Sequence, residues 1–241
     1  MKKFLAIIIA FVFLAAAPAW AEEPVVIELF TSQGCDMCPP AHILQKEYAE
    51  MAGAIILTWH VEHWDFMGWR DTYAKPEFSK RQYDYNEAFG RKGVYTPQVV
   101  INGREQVVGS KKLEVYTAIK NALVGNETPV NVRFGRNGNS VRAIVGGRKP
   151  ATRTEIFLIW VKLKDRIKIN SGTNIGKTLD YMNIVRSSTS IGTLNEERQT
   201  FTINLDDPNR GDSDALAILI QEGNVGRIIG AGFLVLGDRP N

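Results

Sequence analysis

The sequence predicts an α/β domain over residues 22–127 followed by an all-β, sandwich-like domain over residues 128–241, and three observations predict it. Strand-like runs alternate with helical ones up to residue 127, whereas beyond it short β-branched runs are broken by Gly, Asn and Asp and show almost no helical period. Charge shifts at the same place, from 11 Lys+Arg against 15 Asp+Glu in residues 22–127 (net −4) to 16 against 11 in residues 128–241 (net +5). Asn102-Gly103, between Val99-Val100-Ile101 and Gln106-Val107-Val108, is the two-residue signal of a tight antiparallel hairpin, because both positions tolerate positive φ.

The elements follow in order. Val25 to Phe30 reads as a strand, Ala41 to Met51 as a helix and Ile55 to Val61 as a second strand. Pro76 suits the first turn of a helix reaching Phe89, with Phe78, Tyr85 and Phe89 near helical spacing. After the hairpin, Ser110 offers an N-cap to a helix from Lys111 to Leu123 whose Leu113, Tyr116, Ile119 and Leu123 share a face. This β-α-β-α-β-β-α order is that of an α/β layered domain. The second half offers strands at Val130 to Phe134, Val141 to Val145, Glu155 to Lys162, Met182 to Val185, Thr200 to Leu205, Ala215 to Gln221 and Ile228 to Val235. Seven short runs of this kind suit a sandwich. Arg136-Asn137-Gly138 and Arg210-Gly211-Asp212 read as turns.

Composition excludes several classes. Hydrophobic residues at 44% and charged residues at 23% rule out a disordered or collagen-like chain, and a net charge of +3 gives no nucleic-acid footprint. Two cysteines cannot form a disulfide-stapled scaffold. Met1-Lys2-Lys3, the apolar run Phe4 to Ala17 and Ala19-Trp20-Ala21 have the form of a signal peptide cleaved after Ala21. The apolar run is shorter than the ~20 residues an uncleaved anchor needs, so no stable membrane span is expected after cleavage. The mature chain from Glu22 is expected in an oxidising compartment, the bacterial periplasm.

Cys35-Asp36-Met37-Cys38 lies between the first strand and the first helix. A thiolate there meets the free N–H groups and partial positive charge of a helix start, which favour it as a nucleophile. As a staple the pair is poor: closing so short a loop contributes roughly 2 kcal/mol by chain entropy, against ~4.7 kcal/mol for a hundred-residue loop. Cys35 stands at the open end of the turn and is the expected attacking sulfur, while Cys38, followed by Pro39-Pro40, is the expected resolving one. Pro39 disfavours helical dihedrals at Cys38, which places the pair on the lead-in to a helix beginning at the prolines. A metal role for Cys35, Cys38, His60 and His63 stays open as a soft copper(I) or zinc set, although the His-x2-His spacing does not match a zinc finger. His42, four residues after Cys38, falls on the same helix face. No cofactor is expected.

A strand, a cysteine pair at a helix start, and a proline opening an antiparallel hairpin before a last helix together resemble the thioredoxin fold. The matching proline is in Thr96-Pro97, and the resemblance implies a cis bond lying against the disulfide, with Thr96 and Pro97 shaping a substrate groove. More specifically, Glu28-Leu29-Phe30-Thr31-Ser32-Gln33-Gly34-Cys35, Cys38-Pro39-Pro40-Ala41, His60-Val61-Glu62-His63-Trp64-Asp65-Phe66-Met67-Gly68-Trp69 and Val94-Tyr95-Thr96-Pro97-Gln98 resemble a thioredoxin-like family of exported bacterial proteins, the domain of unknown function twelve twenty-three. Gly176-Lys177-Thr178-Leu179 and Asn183-Ile184-Val185-Arg186 extend the resemblance into the second half. It implies an α/β thioredoxin-like domain followed by an all-β sandwich-like domain, and no settled activity.

Glu28 shares a strand face with Val26 and Phe30, so a carboxylate sits among apolar neighbours. Thioredoxin-like oxidoreductases carry a buried acid on this strand that moves a proton for the second cysteine; the resemblance offers Glu28 that role, and a salt-bridged surface glutamate is the other reading. The segment from His63 to Lys75, holding Trp64, Phe66, Trp69 and Tyr73, suits either an apolar lip beside the cysteines or core packing. The expected function is a periplasmic thiol–disulfide oxidoreductase acting on disulfide- or thiol-containing exported proteins and recharged by a redox partner protein. A copper- or zinc-handling protein and a non-enzymatic binding protein are its rivals.

Overall fold

The computed structural model describes residues 24–125, 130–148 and 150–237. The expected signal peptide and the expected boundary at residues 127 and 128 lie outside the described residues. Among the described residues no helix is long and apolar enough to cross a membrane.

The chain runs β1 (Val25–Thr31), α1 (Pro39–Ala49), β2 (Ala54–His60), α2 (Pro76–Ala88), β3 (Gln98–Ile101), β4 (Glu105–Val108), α3 (Lys112–Val124), β5 (Val130–Asn137), β6 (Ser140–Gly147), β7 (Thr154–Lys168), β8 (Thr178–Thr193), β9 (Arg198–Asn204), β10 (Ala215–Glu222) and β11 (Ile228–Val235). Eight strands form one mixed sheet in the order β11-β10-β7-β8-β2-β1-β3-β4, and β5-β6-β9 form a second. β1 and β2 are parallel, with Leu29 beside Thr58, while β3 returns antiparallel to β1 and pairs β4 through the turn at Asn102-Gly103.

The expected fold class, an α/β thioredoxin-like domain followed by an all-β sandwich-like domain, is corrected here. Strands make up 44% of the described residues and helices 22%, and the large sheet draws strands from both halves. The join is at β2, whose free edge is covered by β8 with Thr58 opposite Ile184. A lone strand edge invites a partner, and here the second half supplies it. Two side chains secure the seam: Thr58 Oγ1 and Gln45 Nε2 each donate to Met182 O at 2.6 Å. β7 and β8, of 15 and 16 residues, are long enough to serve both the large sheet and the packing against the small one.

Side chains on β1 alternate between two cores, as a strand's period of two requires. Val25, Ile27 and Leu29 pack with Ala41, Leu44 and Tyr48 of α1 and Val115 and Ile119 of α3. Val26 and Phe30 face Trp59 and, from α2, Phe78 and Tyr85. A third core lies between the sheets, where Val130, Val141 and Val145 meet Ile156, Trp160, Leu216 and Ile218. There β11 runs so close to β5 that a Cβ on Gly230 would stand 2.3 Å from Val130 O, so only glycine fits.

α3 departs from the expected register. Its N-cap is Lys111, with no side-chain cap from Ser110, and it buries Val115, Ala118 and Ile119 while Leu113 and Tyr116 are exposed. Two apolar stripes of the same period run along this helix, and the packing against β1 selects the one with the smaller side chains.

Candidate functional site

β1 ends at Thr31, and the loop that follows closes on itself through a Cys35–Cys38 disulfide with Cα atoms 5.4 Å apart. Cys38 is the N-cap of α1, and Pro39 and Pro40 occupy its first turn, where a missing N–H costs nothing. Cys38 itself has helical dihedrals (φ −80°, ψ −31°), so the bias from Pro39 is overridden, and Cys38 O accepts from Ala41 N at 2.9 Å. The disulfide thus tightens the entry to a helix rather than joining distant parts of the chain.

Both cysteines have no exposed surface, so the expectation of an open Cys35 is corrected. A 3-10 turn at Glu62–Met67 packs on the loop next to Cys35. Trp64 lies on Gly34, where an added Cβ would meet Trp64 O at 3.0 Å, and Trp64 Nε1 donates to Thr96 Oγ1 at 2.7 Å. Cys35 Sγ lies 3.8 Å from Thr96 O, and the Thr96–Pro97 peptide is cis. Cys35, Cys38, Thr96, Pro97 and Trp64 are therefore one assembly. Phe66 and Met67 are exposed while Tyr73 is buried, so the segment from His63 to Lys75 divides between lip and core.

The second half grips this loop. Asn174 Nδ2 donates to Gln33 O at 2.9 Å and to Cys35 O at 2.8 Å, and Thr173 Oγ1 donates to Gly34 O. Gly172 makes the approach possible: it has φ +72°, and a Cβ there would lie 3.0 Å from Met67 O. From the other side Asp71 Oδ2 accepts from Gln33 N at 2.7 Å. Asn174, Thr173, Asp71 and Gln33 escape a reading of the sequence, whose only hint is the polar run Asn170-Ser171-Gly172-Thr173-Asn174 between two β-rich stretches. Asn174→Ala leaves two buried carbonyls short of donors, a cost of about 1–3 kcal/mol. The variant is expected to unfold at lower urea concentration and to be reduced several-fold faster by dithiothreitol, as followed by alkylation and mass shift.

The histidines separate. His60 Nδ1 donates to Asp71 Oδ2 at 2.8 Å, and His63 Nε2 pairs with Gln82 Oε1 at 2.9 Å, its pKa lowered by burial. His42 Nε2 pairs with Thr31 Oγ1 at 2.7 Å. Burial, with His60 nearby, pushes the His42 pKa down to about 3, so its ring is neutral at ordinary pH. The alternative metal set of Cys35, Cys38, His60 and His63 is not brought together: the sulfurs bond each other and each histidine serves another partner. Among the described residues no group of three or more His, Cys, Asp or Glu is placed to hold a metal ion.

Glu28 is buried on the α2 face of the sheet, opposite the face that carries α1. Its oxygens accept from Arg81 Nε at 2.8 Å and Arg81 Nη2 at 3.1 Å, and from the Tyr85 hydroxyl. It is salt-bridged, as one reading of the sequence has it, but in the interior and not at the surface.

A disulfide at a helix entry, covered by an aromatic turn and set against a cis proline, defines a chain built around one short cysteine loop. The protein belongs to the family described as protein of unknown function (DUF1223), whose model matches residues 26–221. No curated protein matches. Among solved structures, a protein from Agrobacterium tumefaciens, determined as a structural genomics target, is 26% identical with a TM-score of 0.77, over 90% of this chain and 96% of that one. HBP35 of Porphyromonas gingivalis shares the fold at 12% identity and a TM-score of 0.66, over 89% of this chain and 76% of that one.

Proposed function

We propose that this protein is an exported thiol–disulfide oxidoreductase of the periplasm, working through the Cys35–Cys38 pair on disulfide- or thiol-containing exported proteins. A substrate thiolate attacks Cys35 Sγ and forms a mixed disulfide, and the Cys35–Cys38 bond breaks with its electron pair left on Cys38 Sγ. The second substrate thiolate then attacks its own mixed disulfide, and Cys35 leaves reduced. A redox partner protein restores the pair. In the opposite direction, Cys38 attacks the mixed disulfide and releases reduced substrate.

One observation carries this reading: a disulfide that closes only the loop from Cys35 to Cys38, and so staples little, sits in a loop held by three distant segments, through the Asp71 and Asn174 side chains on its backbone and the Thr96 carbonyl against Cys35 Sγ. Because both sulfurs are covered, exchange requires the Glu62–Met67 turn, which buries no residue of its own, to swing away and release the bonds of Trp64 to Thr96 and of His63 to Gln82. Met37, Ile43, Phe66 and Ile175, each more than half exposed, give segments around the loop an apolar surface suited to unfolded polypeptide. Thr96 and Pro97 form the groove wall beside the sulfur. Glu28 enters as a structural ion pair, since both its oxygens are already held.

The test is direct exchange. Oxidised protein mixed with a reduced, unfolded two-cysteine substrate is expected to yield one substrate disulfide for every two protein thiols that appear, and Cys35→Ser none. A pair that stays oxidised against such a substrate while the protein is folded overturns the reading.

A further inference from the structure

Behind the disulfide loop lies a buried polar cluster that none of the chemistry above uses. His42 on α1, His60 at the end of β2 and Tyr181 on β8 meet edge to face, with ring centroids 4.6 Å apart for His42 and Tyr181 and 4.7 Å for His60 and Tyr181. Three of their polar atoms, His42 Nδ1, His60 Nε2 and the Tyr181 hydroxyl, are buried without a hydrogen-bond partner among the described residues. Leaving three such groups unmatched in an interior costs free energy and calls for an explanation.

The cluster is tied to the cysteine loop on both sides. Upstream, Thr31 Oγ1 holds His42, and Asp71, which holds His60, also accepts from Gln33 N. Downstream, His42 stands one helical turn beyond Cys38, and its backbone N–H reaches Cys38 O at 3.4 Å. In the tautomer with Nε2–H donating to Thr31, the Nδ1 lone pair of His42 is free. With Nδ1–H of His60 donating to Asp71, its Nε2 lone pair is free as well. The site therefore offers two imidazole bases, one carboxylate and one phenol in the interior, one helical turn from Cys38.

We propose that His42 is a positioning residue that takes up a proton when the disulfide is reduced and pairs as imidazolium with the Cys38 thiolate, held ready by His60, Asp71 and Tyr181. The proposal rests on the oxidoreductase reading. Oxidation of a substrate dithiol releases two protons and two electrons; the electrons break the Cys35–Cys38 bond, one proton ends on Cys35 Sγ and the other on His42 Nδ1. In the oxidised protein burial keeps His42 neutral, and a thiolate appearing beside it opposes that penalty.

The groups around His42 are Cys38, four residues before it on the same helix, Thr31 of β1, His60 of β2, Asp71 of the loop between β2 and α2, and Tyr181 of β8, with Tyr73 packed on the far His60 ring. Solvent lies close to the cluster. A cleft of about 450 Å³ is lined by Pro39, His42, Ile43, Lys46, Lys177 and Asp180. Lys46, Lys177 and Asp180 are its charged lining groups.

Nitrogen-15 NMR of histidine-labelled wild type, oxidised and then reduced with dithiothreitol at pH 7, reads the step without any substitution. His42 is expected neutral before reduction and imidazolium after it. In Cys35→Ser, where Cys38 is the one thiol left, the absorbance of the thiolate against pH gives its apparent pKa. Adding His42→Gln, or the milder Tyr181→Phe, is expected to raise that value, by more than a unit for His42→Gln, so that at least tenfold less thiolate remains at a given acidic pH. A His42 that stays neutral on reduction, or a thiolate titration that neither substitution moves, overturns the proposal. Exchange with the two-cysteine substrate is measured separately: its absence overturns the oxidoreductase reading, whereas normal exchange with an unmoved thiolate titration overturns this proposal alone.

Discussion

Cys38→Ala is expected to accumulate long-lived mixed disulfides with exported proteins through Cys35, whereas Cys35→Ala accumulates few. The two sulfurs are equally buried, so the difference comes from what surrounds them. Cys38 caps α1 and is fixed by Pro39 and Pro40 and by the backbone bonds its carbonyl accepts, whereas Cys35 sits in the preceding loop, against Thr96 O and beneath Trp64. When the turn carrying Trp64 moves, Cys35 is the sulfur uncovered. Tethered to it, Cys38 attacks the mixed disulfide at a high effective concentration, so removing Cys38 removes the fast exit. Non-reducing gels of the two variants are expected to differ in trapped species by at least about tenfold, given effective molarities far above the concentration of any free thiol. Equal trapping by both would mean that neither sulfur is shielded from substrate.

The largest stability effect is expected at Glu28 and Arg81. Both are buried, and the pair spans the sheet: Arg81 also donates to Gln221 Oε1 on β10 at 2.9 Å, and its guanidinium lies 5.0 Å from the Trp59 ring. Glu28→Ala leaves an uncompensated guanidinium in the interior, which costs about 3–5 kcal/mol. The double variant Glu28→Leu, Arg81→Met removes both charges together and is expected to recover most of that loss. Lys80→Ala, which breaks an exposed pair with Asp84, is expected to change stability by no more than about 0.5 kcal/mol. Urea unfolding of the four proteins ranks them.

Much of the site was legible in the sequence because its signals are local. The cysteine spacing, the prolines after Cys38 and the Asn102-Gly103 hairpin each act within a few residues, and each lies where the pattern puts it. What was not legible depends on contacts between distant segments. That β8 would cover the edge of β2 rests on one register, Thr58 opposite Ile184, and on Met182 O, neither of which alters the local pattern. The grip of Asn174 on Cys35 joins residues 139 apart. The stripe Val115, Ala118 and Ile119 on α3 competes with Leu113 and Tyr116 at the same period, and only the packing partner decides between them. The surroundings of the buried Cys35 include Trp64 lying on Gly34 and Asn174 on the Cys35 carbonyl, contacts between loops that carry no periodic signal.

The reduction potential of the Cys35–Cys38 pair tests the central claim most directly, because a bond kept for chemistry and a bond kept for stability differ in how hard they are to reduce. Protein spanning residues 22–241 is equilibrated in graded thiol buffers, and the reduced fraction is read by alkylation. An oxidoreductase is expected to reach its midpoint at roughly −120 to −270 mV, the span of known dithiol enzymes. A midpoint below about −300 mV, where structural disulfides lie, would contradict the account.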